Sequence, residues 1–439
     1  MQQLFDYLNV IGLKGKSLHK ILFKLKDSDI IQILEIINNI IQENSDIKSD
    51  SKFSFVANST LSGEPRPCAS YSCRLNNIDT LARNSILYAD TVYVTNPFEK
   101  YYHCISFTDF DKLRLEYDLL LLYHVKSLFL EGIFRFSSTF THVCRDCLRK
   151  EKILTKAYEG KLNKAEKYLT EKILADFKYI IEFDEYDKPS IEVYGTNDII
   201  DHPLVFNYNE KYPERFNALK SNRKSKKLSR NEIIDLDLVS DFTYPIVNDL
   251  MVQNYYTNIY KAHYLTNRKI DGLLIQNNQD KNKLAISEHI SQSLNHKIPF
   301  LPTADLSKLL KLRKHEGEAF QLYRNSLTQF LSTIKSTEYN LKEAFQDEIQ
   351  PELLKISQTI KKTKKTIFQD FSKDVIVGST FVSVGLFTNF LPQTVGTVIT
   401  ALGGINYVDK IGNSIKKMAT IENEVKDNKY YFIWKMLRQ

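Results

Sequence analysis

The sequence predicts a mixed fold, α+β / α/β in class. An N-terminal α/β domain with a candidate zinc site is followed by a mainly helical C-terminal domain containing a long amphipathic helix and an uncharged helical hairpin. Three observations carry this expectation. LYADTVYVTNPF (Leu87 to Phe98), DKLRLEYDLLLLYHVKSLFLEG (Asp111 to Gly132) and IFRF (Ile133 to Phe136) read as strand, long helix and strand, the pattern of a parallel α/β unit. KYIIEFDEYDKPSIEVYG (Lys178 to Gly195) alternates apolar and polar residues around a turn at Tyr186 to Pro189, as a β-hairpin does. From Leu306, apolar residues recur at three- and four-residue steps through Leu309, Leu310, Phe320, Tyr323 and Leu327 to Ile334, which is the stripe of one long helix.

Taken in order, residues 1–45 read as short amphipathic helices, with Ile30, Leu34, Ile37 and Ile41 at helical spacing. The polar run Glu43 to Lys52 is a linker, and the α/β domain is expected over residues 53–220. Asn96 and Pro97 close the first strand; the long helix has an acidic first turn and stops at Gly132. No glycine-rich phosphate loop follows either strand. SNRKSKKLSR (Ser221 to Arg230) is a basic linker, and residues 231–439 form the helical domain. Pro302 and Asp305 stand where its long helix begins, the aspartate as cap, and Pro351 marks a break further on.

Residues 375–408 contain no charged side chain, with Pro392 dividing two arms and lysines flanking both ends. Basic flanks would favour a membrane hairpin with both ends in the cytoplasm, although seven Ser and Thr residues and short arms argue against a constitutive anchor. The alternative is a buried hairpin in a water-soluble core. Trp434, beside Tyr430, Tyr431 and Lys435, would suit either an interfacial anchor or a docked terminal helix.

The chain has 439 residues, enough for two or three domains with real cores, and a net charge of +7 that permits anionic partners without demanding them. The Asn, Ile and Lys bias is associated with AT-rich, bacterial genomes. The first residues lack the apolar core of a secretory signal, so a cytoplasmic location is expected, with conditional or peripheral association at the inner membrane. Five cysteines in such a chain suggest thiols or metal ligands over a disulfide framework.

Cys68 and Cys73 form C-x4-C, and Cys144 and Cys147 form C-x2-C. Four soft thiolates in two short pairs suit a structural zinc, which is the expected cofactor. A redox pair at Cys144 and Cys147, or unrelated buried thiols, are the alternatives. His142, and His103 with Cys104, are reserve ligands, and Cys104 itself reads as an inert core residue. Asp184 and Glu192, across the hairpin, are spaced as in restriction-type nucleases, but Val193 and Tyr194 stand where the Glu-x-Lys motif needs its lysine. Asp90 sits at a strand, and Asp109 and Asp111 are explained as helix caps. Asp201 and His202 before Pro203 form a turn. There is no G-x-S-x-G, Walker or His-Glu-x-x-His motif. Arg223, Lys224, Lys226, Lys227 and Arg230 are the basic cluster that could meet nucleic acid, with Tyr101, Tyr102, Tyr255, Tyr256 and Tyr260 as stacking candidates.

LYADTVYVTNPF, LEGIFRF followed by CRDC, and IPFLPTADLSKLLKLRKHEGEAFQLYR resemble stretches of uncharacterised bacterial proteins, some associated with phage-defence islands. The resemblance implies context and no catalytic residue. The expected function is therefore a non-enzymatic interaction or effector protein with a protein partner, in a setting of anti-phage defence, whose hairpin moves conditionally to the membrane. A nucleic-acid-binding protein or metal-dependent nuclease is the alternative.

Overall fold

The computed structural model describes residues 1–45, 53–102, 104–137, 156–186, 188–196, 199–200, 202–207, 216, 219, 225–268, 270–271, 274, 305–335, 351–352, 382–384, 428–429 and 431–436. Helices α1 (Gln2–Val10), α2 (Leu18–Leu22) and α3 (Asp27–Ser45) open the chain. They lead to strand β1 (Ser54–Ala57), helix α4 (Tyr71–Tyr88), strand β2 (Thr91–Val94), helices α5 (Asp109–His124) and α6 (Lys126–Leu130), and strand β3 (Phe134–Phe136). Next come α7 (Lys156–Asp176), β4 (Lys178–Phe183), β5 (Pro189–Tyr194), β6 (Leu204–Asn207), β7 (Ser225–Lys227), α8 (Arg230–Asp235), α9 (Ser240–Tyr260) and β8 (His263–Thr266). Helices α10 (Leu306–His315) and α11 (Gly317–Lys335), strand β9 (Val382–Val384) and helix α12 (Tyr431–Met436) complete the described elements.

The expected mixture of helix and sheet is present, as two sheets. The first has the order β3-β2-β1-β8-β9, with β1 parallel to both β2 and β8 and β2 parallel to β3. Its strands are short and apolar on both faces: Phe55, Val56, Val92, Tyr93, Val94, Phe134 and Phe136 are all buried. That is what a parallel sheet covered on both sides requires. The second sheet is antiparallel, in the order β6-β5-β4-β7. The expected hairpin is its centre, with Phe183 opposite Pro189 and Ile180 opposite Glu192. Tyr179, Ile181, Ile191 and Val193 fill one face of it and pack on Leu169, Ile173 and Phe242 from α7 and α9.

The antiparallel sheet lies in the chain between β3 and β8, so it occupies the crossover that returns the chain to the first sheet. β8 falls within residues 231–439, expected to be the helical domain, yet it pairs with β1. A four-residue strand directly after a long helix leaves little periodicity to read. Helix α9 joins the two units: Phe242, Ile246 and Leu250 belong to the second core, while Tyr260 stacks on Tyr93 of β2 with ring centroids 3.8 Å apart.

Three further expectations are corrected locally. The stripe from Leu306 to Ile334 is two helices, since the chain breaks at Glu316, whose carboxylate accepts from Lys435 of α12 at 2.6 Å. Asp305 caps α10, accepting from the Lys308 amide at 3.0 Å, as expected. The basic linker contains β7, which pairs with β4. Within the uncharged segment, Val382–Val384 form β9, antiparallel to β8, in place of helix. The two β-branched valines favour extended backbone at a sheet edge; the rest of residues 375–408 lies outside the described residues. Among the described residues no helix is long and apolar enough to cross a membrane.

The N-terminal helices and the C-terminal pieces share the core of the first sheet, where Leu4, Leu34, Phe129, Leu309, Phe320 and Phe432 meet. Arg313 fixes α10 to the end of α4 by donating to the Ser85 and Ile86 carbonyls, both at 3.1 Å. The Ser85 carbonyl also accepts from the Ala89 amide at 2.9 Å, so Arg313 is its second donor at the end of the helix. Burial, only partly offset by Asp90, holds the Arg313 guanidinium down at about 10. Asp90 also pairs with Arg324 of α11.

Candidate metal centre

The loop leaving β1 is set by Asn58, whose side-chain oxygen accepts from the Leu61 amide at 2.9 Å and whose amide group donates to Thr266 Oγ1 at 2.9 Å. Arg74 of α4 reaches back to donate to the Gly63 carbonyl at 2.6 Å. Between these ties the loop carries Cys68. Ser70 is the residue before α4, and Cys73 lies in the helix's first turn. Exposed amides and the helix dipole at that end favour a thiolate. His202, just before β6, arrives from the other sheet.

The two sulfurs and one ring nitrogen of Cys68, Cys73 and His202 all lie within 4.8 Å of one another. Ligand atoms around tetrahedral zinc stand ~3.3–3.8 Å apart, given bonds of about 2.3 Å to sulfur and about 2.0 Å to nitrogen. A modest closing of the three side chains would therefore bring them to coordination distance. Burial raises the Cys68 thiol, but hydrogen bonds from His202, the Ser70 amide and Cys73, with the charge of His202, outweigh it and bring the thiol below its usual range. A thiol lowered in this way gives up its proton to a soft or borderline metal more readily. Cys68 also packs against the second core, so an ion here would fasten the β1–α4 loop to the inserted sheet.

Half of the expected ligand set is thus brought together, and a ligand not counted in it joins. Cys144 and Cys147 lie outside the described residues, as do the reserve ligands His142 and His103. His202 was legible only as part of a turn before Pro203. Nothing local distinguishes it, because its neighbours Cys68 and Cys73 come from the loop and helix that follow β1, far away in the chain. Cys104 packs against the first core, and burial raises its thiol.

The carboxylate pair of the nuclease alternative, Asp184 and Glu192, is not assembled. Asp184 accepts from the Tyr186 and Lys188 amides, both at 2.8 Å, and so builds the hairpin turn. Glu192 faces Ile180, four residues further along the strand, roughly 13 Å at the rise of an extended chain. Among the described residues, Cys68, Cys73 and His202 are the group of metal-ligating side chains that converges. Asp111 forms a capping box with Thr108, as its cap assignment requires. In the basic cluster, Lys226 pairs with Glu232, whose carboxyl is drawn down to about 2 chiefly by that lysine and the Ser229 amide. Arg230 pairs with Glu171, and Lys227 lies on β7 opposite Ile180. Arg223 and Lys224 lie outside the described residues. Tyr256 and Tyr260 are buried in the core with Val56 and Tyr93, and Tyr101 is buried with its hydroxyl donating to Asp118 at 2.8 Å.

A second polar assembly lies along the carboxyl ends of β1 and β8, the edge where open α/β sheets take ligands. Arg268 donates to Asp249 of α9 and, at 2.9 and 3.0 Å, to Asp271. Asp271 also accepts from Tyr264 at 2.8 Å and Thr266 at 2.6 Å. Beside it, Asp118 accepts from Arg74, and its other oxygen meets Lys100 at 2.8 Å. Glu64, with its side chain 18% exposed, stands 3.9 Å from Lys100. Its carboxyl is raised, by burial first and by Asp118 and Asp249 against the pull of Lys100 and Arg74. Such a group favours the folded state below its unfolded value of about 4.3, and that contribution is lost as pH rises through the folded value. Glu64→Gln should therefore gain stability relative to the wild type on going from pH 5 to pH 7.5. Denaturant midpoints at the two pH values check this, and a constant difference would refute it.

No family model, curated protein or solved structure matches this chain.

Proposed function

We propose that the protein is a zinc-stapled binding protein of the interaction or effector class, in which the ion holds two sheets in a fixed relation and so preserves a surface for a protein partner. The observation that carries the reading is the convergence of Cys68, Cys73 and His202 from opposite sides of the junction between the sheets. Two thiolates and an imidazole suit zinc, and Cys144 and Cys147, outside the described residues, are the sequence's further candidates for closing a structural site. At the carboxyl end of the first sheet, Arg268 pairs with Asp249 and Asp271, and Arg74 and Lys100 pair with Asp118, so these groups tie loops and helices together. The pairing of Val382–Val384 with β8 supports seating that part of the uncharged segment against protein in preference to lipid.

Protein purified without chelators should contain close to one zinc per chain by elemental analysis. Cys68→Ser and His202→Asn should each lower the content at least severalfold while leaving the first sheet folded, because losing a ligand from a site of this type weakens metal binding more than the apolar core. A zinc-free wild type would remove the basis of the proposal. Incubation with plasmid and RNA in magnesium or manganese tests the rival: cleavage that is lost in Asp184→Ala or Glu192→Ala would favour a nuclease.

A further inference from the structure

We propose that the Cys68 and Cys73 pair makes this metal site a peroxide-sensitive catch, which releases the ion and loosens the junction between the sheets when the two sulfurs join as a disulfide. The inference rests on the zinc reading above. Its independent basis is geometric: the two sulfurs lie within 4.8 Å, and both residues are half-buried and open to a small oxidant. Cys68 sits in the loop before α4, outside any helix or strand, where the backbone can give. Closing from that separation to the ~2.05 Å of a disulfide needs a shift of less than about 3 Å, most of it available from the loop side.

The chemistry balances with hydrogen peroxide as the oxidant. One thiolate attacks a peroxide oxygen, the O–O bond breaks, and a sulfenic acid and hydroxide form. The second thiolate attacks the sulfenic sulfur, forming the S–S bond and releasing a second hydroxide, and two protons convert both hydroxides to water. Two electrons pass from the sulfur pair to peroxide. Joining the two sulfurs would withdraw both anionic donors, Cys68 and Cys73, from an ion held there, leaving His202 alone of the three.

The loss has a structural consequence because the ligands come from different units. His202 precedes β6, whereas Cys68 and Cys73 flank the start of α4. With the ion gone, the inserted sheet keeps its contacts through α9 but loses the tie at this corner.

The test uses the full chain loaded with zinc and titrated with hydrogen peroxide, with released metal read by pyridylazoresorcinol absorbance and the linkage by peptide mass spectrometry. The expected result is one zinc released per Cys68–Cys73 disulfide, with recovery of metal binding after dithiothreitol and fresh zinc. Zinc that stays bound while Cys104 or other thiols oxidise would overturn the catch and leave the structural zinc site standing. A disulfide between Cys144 and Cys147 that accompanies release would also overturn it, by moving the switch to the other pair. Protein that holds no zinc before oxidation would overturn both proposals.

Discussion

Replacing Asp118 with leucine is expected to destabilise the protein by about 3–5 kcal/mol, the loss typical when one member of a buried ion pair is removed. Asp118 sits on α5 with its side chain fully buried, and it gathers Arg74 from α4, Lys100 and the Tyr101 hydroxyl. Lys100 is partly exposed and can swing to water. Arg74 cannot: its side chain is 1% exposed, and its Nε is committed to the Gly63 carbonyl. The variant therefore strands a guanidinium in the core and leaves Tyr101 without its acceptor. Exchanging both members, Arg74→Met with Asp118→Leu, removes the stranded charge and should recover much of the loss. Denaturant midpoints for the two single variants and the double variant measure the coupling. Additive losses, or a single-variant loss below about 1 kcal/mol, would show that the pair is not what holds this corner.

The signal for Asp118 was present in the sequence. Leu115, Leu119 and Leu122 form a buried stripe on α5, and Asp118 falls on the same face. A charge on an apolar stripe needs a partner, but nothing local names Arg74, which stands beside Cys73 at the start of another helix. The elements that were legible are those whose instructions are local: β2 and β3 with a helical span between them, which divides at Val125 into α5 and α6 where one helix was expected, the hairpin of β4 and β5, and the Asp305 cap. What was not legible depends on distance along the chain. β8 has four residues and acquires its meaning only beside β1. The break at Glu316 is invisible in the apolar stripe because the spacing of leucines and aromatics carries through it. The same limit governs the metal centre. Cys68 and Cys73 announce themselves as a pair, whereas His202 joins them only because the antiparallel sheet is inserted into the crossover and folds back on the loop after β1.

Arg268→Met should produce the other large loss, about 3–5 kcal/mol at neutral pH, and one that acid reduces. Arg268 compensates two carboxylates: Asp249, 5% exposed and also bound by the Ser59 amide and Gln253, and Asp271, fully buried beneath Tyr264 and Thr266. It thereby connects the loop after β8 to α9 and, through Asp249, to the loop after β1. Methionine fills much of the same space but leaves both carboxylates without a cation. Even with Arg268 in place, the Asp271 carboxyl is raised, by burial against the pull of the guanidinium and the Thr266 hydroxyl. Removing that pull raises it further. A carboxyl raised in the folded state is tolerated once protonated and costly once ionised, so the variant's deficit should be smaller at pH 5 than at pH 7.5. Urea unfolding of both proteins across this range decides the matter. A deficit that does not change with pH would mean that Arg268 acts through packing of its aliphatic stem, with the two aspartates indifferent to its charge.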